Sequence, residues 1–185
     1  MILPIFAYGQ PVLRKKSIDI AKDYPELPKL IDDMYETMYS AKGVGLAAPQ
    51  IGKDIRLFVI DTLQLDKKNS TSTGFKKVFI NAQMLDESGD LWVYEEGCLS
   101  IPDIHVDIER NPTIRLRYFD ENFIEYDEVF EKINARVIQH EYDHIEGILF
   151  IDRMKPLKRR LINSKLEKIK RGDISINHPM RFVKS

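Results

Sequence analysis

The chain has 185 residues, and its 28 lysines and arginines nearly balance its 29 aspartates and glutamates, for a formal net charge of −1. This length can bury one good core, and the near-neutral charge excludes a general attraction to DNA. A single cysteine excludes an internal disulfide and favours a reducing compartment, and no apolar run approaches the roughly 18 residues of a membrane span. The first residues lack the pattern of a signal peptide. We therefore expect a single-domain, cytoplasmic protein with no membrane contact.

The first predicted element is a helix that follows about 22 irregular residues. Asp23 and Glu26 form a D-x-x-E variant of the capping box, and Pro25 suits the first turn of a helix. Apolar residues then recur at helical spacing as far as Ala41. Gly43 is predicted to end this helix.

A glycine-rich segment, residues 43–52, follows and reads Gly-Val-Gly-Leu-Ala-Ala-Pro-Gln-Ile-Gly. Small residues let a backbone approach a ligand or another chain closely, but without further context the segment is better interpreted as a turn after the helix. Strands are predicted at residues 55–60 and 77–80. The polar residues 67–74 between them are expected to form an exposed and mobile loop.

A second unusual segment, residues 95–102, reads Glu-Glu-Gly-Cys-Leu-Ser-Ile-Pro. A lone cysteine is usually a small buried apolar residue, but the acidic residues and glycine around Cys98 are atypical of a core strand. Alternating and β-branched patterns predict further strands at residues 104–108, 113–119 and 123–130.

The most informative stretch is Gln-His-Glu-Tyr-Asp-His at residues 139–144, on a helix predicted to begin near Ile133. His140 and His144 are four residues apart and share one helical face, so both can bind the same cation. Glu141 is then placed to act on a bound water rather than on the metal. This is the H-E-x-x-H arrangement of zincin-type hydrolases.

Two histidines are too few for a metal site, so a third ligand is needed. Phe150 stands where the longer metzincin pattern has a histidine three residues after Gly147, which excludes that class. The residues themselves leave two candidates for the third ligand, the Glu167 carboxylate and the Cys98 thiolate. Ile133 and Val137 share the face of the two histidines, as a site for a hydrophobic substrate group requires.

The C-terminal part contains a short apolar run at residues 148–151, compatible with one more strand, and a basic helix at about residues 157–170. Residues 1–172 are predicted to form one catalytic domain, and residues 173–185 a tail. In the basic helix the apolar residues at helical spacing are predicted to face inward; they are Leu157, Leu161, Leu166 and Ile169. The other faces carry Lys158, Arg159, Arg160, Lys165, Lys168 and Lys170.

Three segments together resemble the signature motifs of the peptide deformylase family: residues 43–50, 96–100 and 139–144. They occur in the family's order, and the similarity extends from about Tyr8 to Met154. The resemblance implies an α+β fold in which antiparallel strands surround a central helix that carries the H-E-x-x-H motif, followed by a C-terminal helix.

The resemblance also implies a metal-dependent hydrolase that removes the N-formyl group from the N-terminal formyl-methionine of newly synthesised polypeptides and releases formate. By position it makes Cys98, His140 and His144 the metal ligands, with Fe²⁺ as the cofactor and Zn²⁺, Ni²⁺ or Co²⁺ as replacements. It makes Glu141 the general acid and base. The other implied site residues are the oxyanion donors Gln50 and Leu99 (backbone N–H) and the substrate-binding residues Val44, Gly45, Tyr94, Ile133 and Val137.

Similarity to bacterial deformylases further implies nascent N-formyl-methionyl peptides as partners, and the ribosome through the basic C-terminal helix. Two other functions are compatible with the H-E-x-x-H motif: a thermolysin-like peptidase that uses Glu167, and a ribosome-binding module with a structural metal. Neither explains the other two motifs. Charge and position also suggest that Glu96, Arg110 and Asp143 form an ion-pair group between the Cys98 segment and the metal helix.

Overall fold

The computed structural model describes residues 1–66 and 74–183, so the loop predicted at residues 67–74 lies outside the described residues except for Gly74. The strands are β1 Ile5–Phe6, β2 Gly45–Ala47, β3 Leu57–Asp61, β4 Lys76–Ser88, β5 Trp92–Cys98, β6 Ile101–Arg110, β7 Thr113–Phe119, β8 Glu125–Glu131 and β9 Met180–Arg181. The α-helices are α1 Leu27–Ser40, α2 Leu63–Asp66, α3 Lys132–Ile145, α4 Pro156–Leu161 and α5 Asn163–Arg171. Three 3₁₀ turns occupy Pro11–Arg14, Ala48–Ile51 and Phe150–Arg153.

Antiparallel pairing dominates the sheets, as the predicted α+β fold requires. The main sheet has the strand order β2-β3-β4-β7-β8, and every neighbouring pair in it is antiparallel. Strands β5 and β6 form a separate antiparallel ribbon, and β1 pairs with β9 in parallel. Strand β2 lies at one end of the main sheet, so one of its edges has no neighbouring strand within that sheet.

Strand β3 explains why two helices pack on opposite faces of the main sheet. All five of its residues are buried, and successive side chains in a strand point to opposite faces. Leu57 and Val59 join the apolar cluster that contains the buried face of α1. Phe58 and Ile60 join the cluster that contains the buried face of α3.

Helix α3 occupies the centre of the fold, as predicted for the helix with the H-E-x-x-H motif. Its residues Ala135 and Ile138 pack against the main sheet, while the Arg136 side chain on another face donates hydrogen bonds to the Trp92 and Ile108 carbonyls of the β5–β6 ribbon. The helix is followed by Gly147, whose φ of +74° is the left-handed conformation that commonly ends helices.

The capping box predicted at the start of the first helix is wrong. Helix α1 begins at Leu27, its N-cap is Glu26 with φ of 53°, and no side chain caps it. The chain first makes turns in which the Tyr24 N–H bonds to the Ala21 carbonyl and the Leu27 N–H bonds to the Tyr24 carbonyl. Burial of Leu27 at the helix start therefore outweighs the local capping signal.

The strand considered for residues 148–151 is also wrong. The segment enters the 3₁₀ turn Phe150–Arg153, and the Asp152 carboxylate accepts a hydrogen bond from the Leu149 N–H at 2.8 Å. Its apolar run reflects burial, because Leu149, Phe150 and Ile151 are all at most 1% exposed. Burial alone does not distinguish a strand from a tight turn.

The predicted C-terminal helix is divided into α4 and α5 at Ile162, whose φ of −97° and ψ of −3° depart from regular helix geometry. Leu166 and Ile169 are buried as predicted. Leu157 and Leu161 are 77% and 83% exposed, so their predicted inward orientation is wrong. The break lets α5 pack on the core without burying the apolar positions of α4.

The segment predicted as a tail returns to the N-terminus, where its residues Met180–Arg181 form β9 and pair with Ile5–Phe6. None of the helices in the described part of the chain combines the length and apolarity that a bilayer crossing requires.

Candidate metal centre and substrate pocket

Three potential metal ligands converge where the end of β5 meets α3. Cys98, His140 and His144 place one ligand atom each within 4.8 Å of the other two, and Cys98 Sγ lies 3.3 Å from His144 Nε2. Glu167, the other candidate for the third ligand, is exposed on α5 and does not belong to this group. The structure therefore selects Cys98 as the partner of the two histidines.

The donor set fits a divalent transition metal. Ligand bonds of roughly 2.0–2.3 Å to imidazole nitrogen and thiolate sulfur span separations of this size, and three protein ligands leave a position for water or substrate. Burial lowers the pKa of His144 well below its ordinary value. This shift favours the neutral imidazole, which is the form that binds a metal.

Glu141 lies beside these ligands with unused hydrogen-bonding capacity. Its side chain is buried, and its Oε2 atom has no hydrogen-bond partner among the described residues. Burial raises the pKa of Glu141 to about 7. A Cβ added at Gly45 would come within 2.5 Å of Glu141 Oε1, so the glycine in β2 is what lets the carboxylate lie against this strand.

Gln50 points its amide group into the same centre. The 3₁₀ turn after β2 carries this residue, and the Ala47 N–H donates a 2.8 Å hydrogen bond to Gln50 Oε1. The amide NH₂ is thereby directed toward Cys98 Sγ at 3.5 Å and Ser100 Oγ at 3.4 Å. The hydrogen bond from the Ala47 backbone therefore fixes the orientation of the Gln50 NH₂ group.

The suggested ion-pair group behind the metal ligands is confirmed. Arg110 makes a two-pronged contact with Glu96, at 2.7 and 3.0 Å, and a 2.7 Å contact with Asp143. The Glu96 Oε2 atom, which Arg110 also contacts, accepts a 3.0 Å hydrogen bond from His140 Nδ1 and leaves the Nε2 atom of that ring for a metal. Burial disfavours the charged form of Glu96, but the hydrogen bonds from His140 and Arg110 outweigh it and hold its pKa well below the usual range.

Two further arginines in this group are absent from the sequence prediction. Arg136, one turn before His140, bonds to Glu96 at 2.8 Å and stacks on the Trp92 ring, with its guanidinium carbon 4.6 Å from the ring centroid. Arg153 contacts Asp143 at 2.6 and 2.7 Å. The sequence feature that could have predicted Arg136 as a member of the group is its charge between apolar positions of an amphipathic helix.

A pocket of about 450 Å³ opens beside the ligand group. All residues predicted to bind the substrate line it, namely Val44, Gly45, Tyr94, Ile133 and Val137. Gln50, Cys98, Leu99, His140 and Glu141 also line it, whereas His144 lies behind them. Pocket residues that the sequence prediction lacks include Asp103, His105 and His178, which come from β6 and from the returning C-terminal segment.

Comparison with known proteins gives a consistent result over nearly the whole chain. The family model described as polypeptide deformylase matches residues 2–160. A peptide deformylase of Christiangramia forsetii is 52% identical over 189 residues, which cover 98% of this chain and 96% of the relative. One of Flavobacterium johnsoniae is 52% identical over 191 residues, covering 99% and 97%. The crystal structure of a peptide deformylase from Legionella pneumophila is 37% identical with a TM-score of 0.81, covering 94% of this chain and 98% of that one.

The buried ion-pair group leads to a stability prediction. Arg110→Met leaves the Glu96 and Asp143 carboxylates buried without this partner, and we expect it to lower the free energy of unfolding by about 3–5 kcal/mol. Arg115→Met is the matched control, because Arg115 makes the same two-pronged contact with Asp127 in an exposed position. The control should change the free energy little. Urea denaturation at one fixed metal concentration measures both, and equal losses would contradict a special role for the buried group.

Proposed function

The chain belongs to the peptide deformylase family, and from this premise we propose which of its residues perform each part of the reaction. The protein is a metal-dependent hydrolase that removes the N-formyl group from nascent polypeptides. The proposal for its residues is carried by one observation. The ligand atoms of Cys98, His140 and His144 lie within 4.8 Å of one another, beside a buried Glu141 carboxylate that has an oxygen without a partner in the described chain.

We assign Cys98 Sγ and the Nε2 atoms of His140 and His144 as the metal ligands. When bound, a divalent cation supplies Lewis acidity, which polarises a carbonyl group and brings the pKa of water toward about 7. Glu96 keeps His140 in the tautomer that presents Nε2, since its carboxylate accepts the Nδ1 proton. We keep residues 1–172 as the proposed catalytic domain, against which the C-terminal residues pack through the β1–β9 pairing.

Glu141 is assigned as the general base and then the general acid. Its carboxylate accepts the proton of the attacking water as the new C–O bond forms at the formyl carbon. It then gives that proton to the amine as the C–N bond breaks, so formate and a free N-terminus are released. The Gln50 amide and the Leu99 backbone N–H donate hydrogen bonds to the oxygen that becomes negative. Loss of one such donor costs about 3–4 kcal/mol of transition-state stabilisation in comparable sites.

The substrate backbone is assigned to the free edge of the main sheet. Val44 and Gly45 lie at the start of β2, the end strand of that sheet, and an extended peptide can pair with such an edge. Val44 with Tyr94, Ile133 and Val137 then surrounds the methionine side chain.

Replacement of the proposed general base tests the mechanism. Glu141→Gln should bind metal in the same ratio as the wild type but lose most of its turnover, because the amide cannot accept the proton. Cys98→Ser should lose metal and activity together. Glu167→Gln is the control and should retain both, since this carboxylate is exposed on α5. Metal analysis and formate release from formyl-Met-Ala are the measurements. A Glu141→Gln protein that lost its metal would show that Glu141 is a ligand or a structural residue.

The apolar pocket leads to a prediction about the substrate side chain. Formyl-Met peptides should exceed formyl-Ala peptides in kcat/KM by at least roughly tenfold, because each buried CH₂ contributes ~0.8 kcal/mol. Ile133→Ala removes part of the pocket wall. It should reduce kcat/KM for formyl-Met peptides and leave kcat/KM for formyl-Ala peptides nearly unchanged. Equal kcat/KM values of the wild-type protein for the two substrates would contradict the assignment of this pocket to the methionine side chain.

We propose Fe²⁺ as the metal that the protein uses in the cell. The Cys98 thiolate donates charge, which makes four-coordinate zinc a poorer Lewis acid, whereas ferrous iron expands its coordination readily. Iron also binds more weakly than zinc in a given site, so purification in air favours replacement. Cys98 is partly exposed and oxidisable.

Preparation under different metals tests this choice. Protein purified without oxygen should contain iron, should be the more active form, and should lose activity in air. Nickel or cobalt substitution should preserve activity and prevent the decay. Metal analysis and activity against time of air exposure are the measurements, and a zinc protein that is equally active and indifferent to oxygen would contradict the iron assignment.

We further propose that the protein works in the cytoplasm beside the ribosome, with the basic faces of α4 and α5 contacting ribosomal RNA. Lys158, Arg160 and Lys165 are exposed, as electrostatic contact requires. Replacing these three by glutamate should abolish co-sedimentation with ribosomes and leave the hydrolysis of formyl-Met-Ala unchanged. Wild-type co-sedimentation should weaken as salt rises. Arg159 is spared because it bonds to Asn163 and to the Tyr8 hydroxyl. If co-sedimentation with ribosomes changed neither with salt concentration nor with the three substitutions, the proposed contact with ribosomal RNA would be contradicted.

A further inference from the structure

The C-terminal segment, defined as residues 173–183, is attached to the N-terminus of the chain. It follows Gly172, whose φ of +77° turns the backbone at the end of α5. The Ile5 N–H donates a 2.9 Å hydrogen bond to the Pro179 carbonyl. The Gln10 side-chain amide donates a 2.6 Å bond to the Phe182 carbonyl. These bonds lie on either side of the β1–β9 pairing, so the C-terminal segment has a defined course across the fold.

Tyr8, two residues after strand β1, connects this part of the chain to the segment that carries Cys98. The Tyr8 N–H donates a 2.8 Å hydrogen bond to the carbonyl of Ser100. Ser100 follows Cys98 and Leu99 in the chain, and its Oγ atom accepts the hydrogen bond from Gln50. The C-terminal segment is thus connected to the Cys98 segment through the hydrogen bonds of the N-terminal residues 5–8.

His178 is the residue of this segment that reaches the active-site pocket. It precedes β9 and lines the pocket together with Pro102, Asp103 and His105 from β6. The match to the family model ends at residue 160, so His178 lies outside the matched region, whereas Pro102, Asp103 and His105 lie within it. The wall contains none of the residues assigned above to the metal, the oxyanion or the methionine side chain.

The imidazole of His178 has hydrogen-bonding capacity that the described protein does not use. Its Nε2 atom is buried and has no partner among the described residues. Burial lowers the pKa of His178, which leaves the ring neutral with one donor and one acceptor nitrogen. A peptide backbone offers N–H and carbonyl groups of both kinds, whereas the methionine side chain offers neither.

We propose that His178 is a specificity-determining residue that contacts the nascent chain beyond its formyl-methionine. This rests on the proposed function, because it takes the substrate to be a formylated peptide that enters the pocket in extended form. The residues after methionine leave the metal centre along the pocket, and the wall of His178, Asp103 and His105 is one part of the pocket lining that the other assignments leave free for them. The C-terminal segment thereby favours peptides over short formylated amino acids.

The test compares a short and a longer substrate, formyl-Met-Ala and formyl-Met-Ala-Ser-Lys, on the full-length metal-loaded protein. His178→Ala should lower kcat/KM for the longer peptide by about fivefold, the effect of losing one hydrogen bond, and mainly through KM. The value for formyl-Met-Ala should stay within twofold of the wild type. His178→Gln, which retains a donor and an acceptor, should restore part of the preference.

Asn177→Ala is the matched control, since Asn177 is the exposed neighbour in the same segment and does not line the pocket. It should leave both substrates unchanged. An equal loss on both substrates would assign His178 a purely structural role and overturn the proposal, as would no loss on either. Failure of the wild type to hydrolyse formyl-Met-Ala would instead overturn the proposed function, so the two failures are distinguishable.

Discussion

The site depends above all on the buried Glu96 carboxylate, which no single partner neutralises. Arg110 and Arg136 share its Oε1 atom, and His140 donates to its Oε2 atom. The three partners come from β6 and from α3, while Glu96 itself lies in β5. Because a buried charge is tolerated only when it is paired and hydrogen-bonded, this one side chain requires the ribbon and the helix to meet in a single register. That register also brings Cys98, two residues after Glu96, to the histidines.

Helix α3 serves the core and the chemistry at once, on different faces. Ala135 and Ile138 anchor it in the apolar cluster under the main sheet, and His140 and Glu141 face the pocket one turn later. Rigid placement matters because a metal site tolerates little error in ligand position. Gly45 completes the arrangement from the sheet side, since any side chain there would collide with the Glu141 carboxylate.

The errors of sequence interpretation share a physical cause. Leu157 and Leu161 are four residues apart and Leu166 and Ile169 are three apart, both helical spacings, yet only the second pair is buried. Spacing shows which residues share a face, but it does not show whether the protein covers that face. The same holds for residues 148–151, whose apolar run was interpreted as a strand but reflects burial of residues 149–151 at a 3₁₀ turn. The capping signal at Asp23 failed because tertiary burial of Leu27 determined where the helix begins.

The sequence by itself determined the features that depend on local geometry: the i, i+4 pairing of His140 and His144, the position of Glu141 next to His140, and the order of the three motifs that indicates the family. These follow from the covalent order of the residues and from the periodicity of the helix, both of which are local to the segment. Only the tertiary structure decided the contacts between distant segments, such as Arg136 on Glu96 and His178 in the pocket wall, and it placed Cys98 beside the histidines as the family resemblance implied. Such contacts depend on strand register and helix packing, which the balance of burial and charge pairing over the whole chain determines.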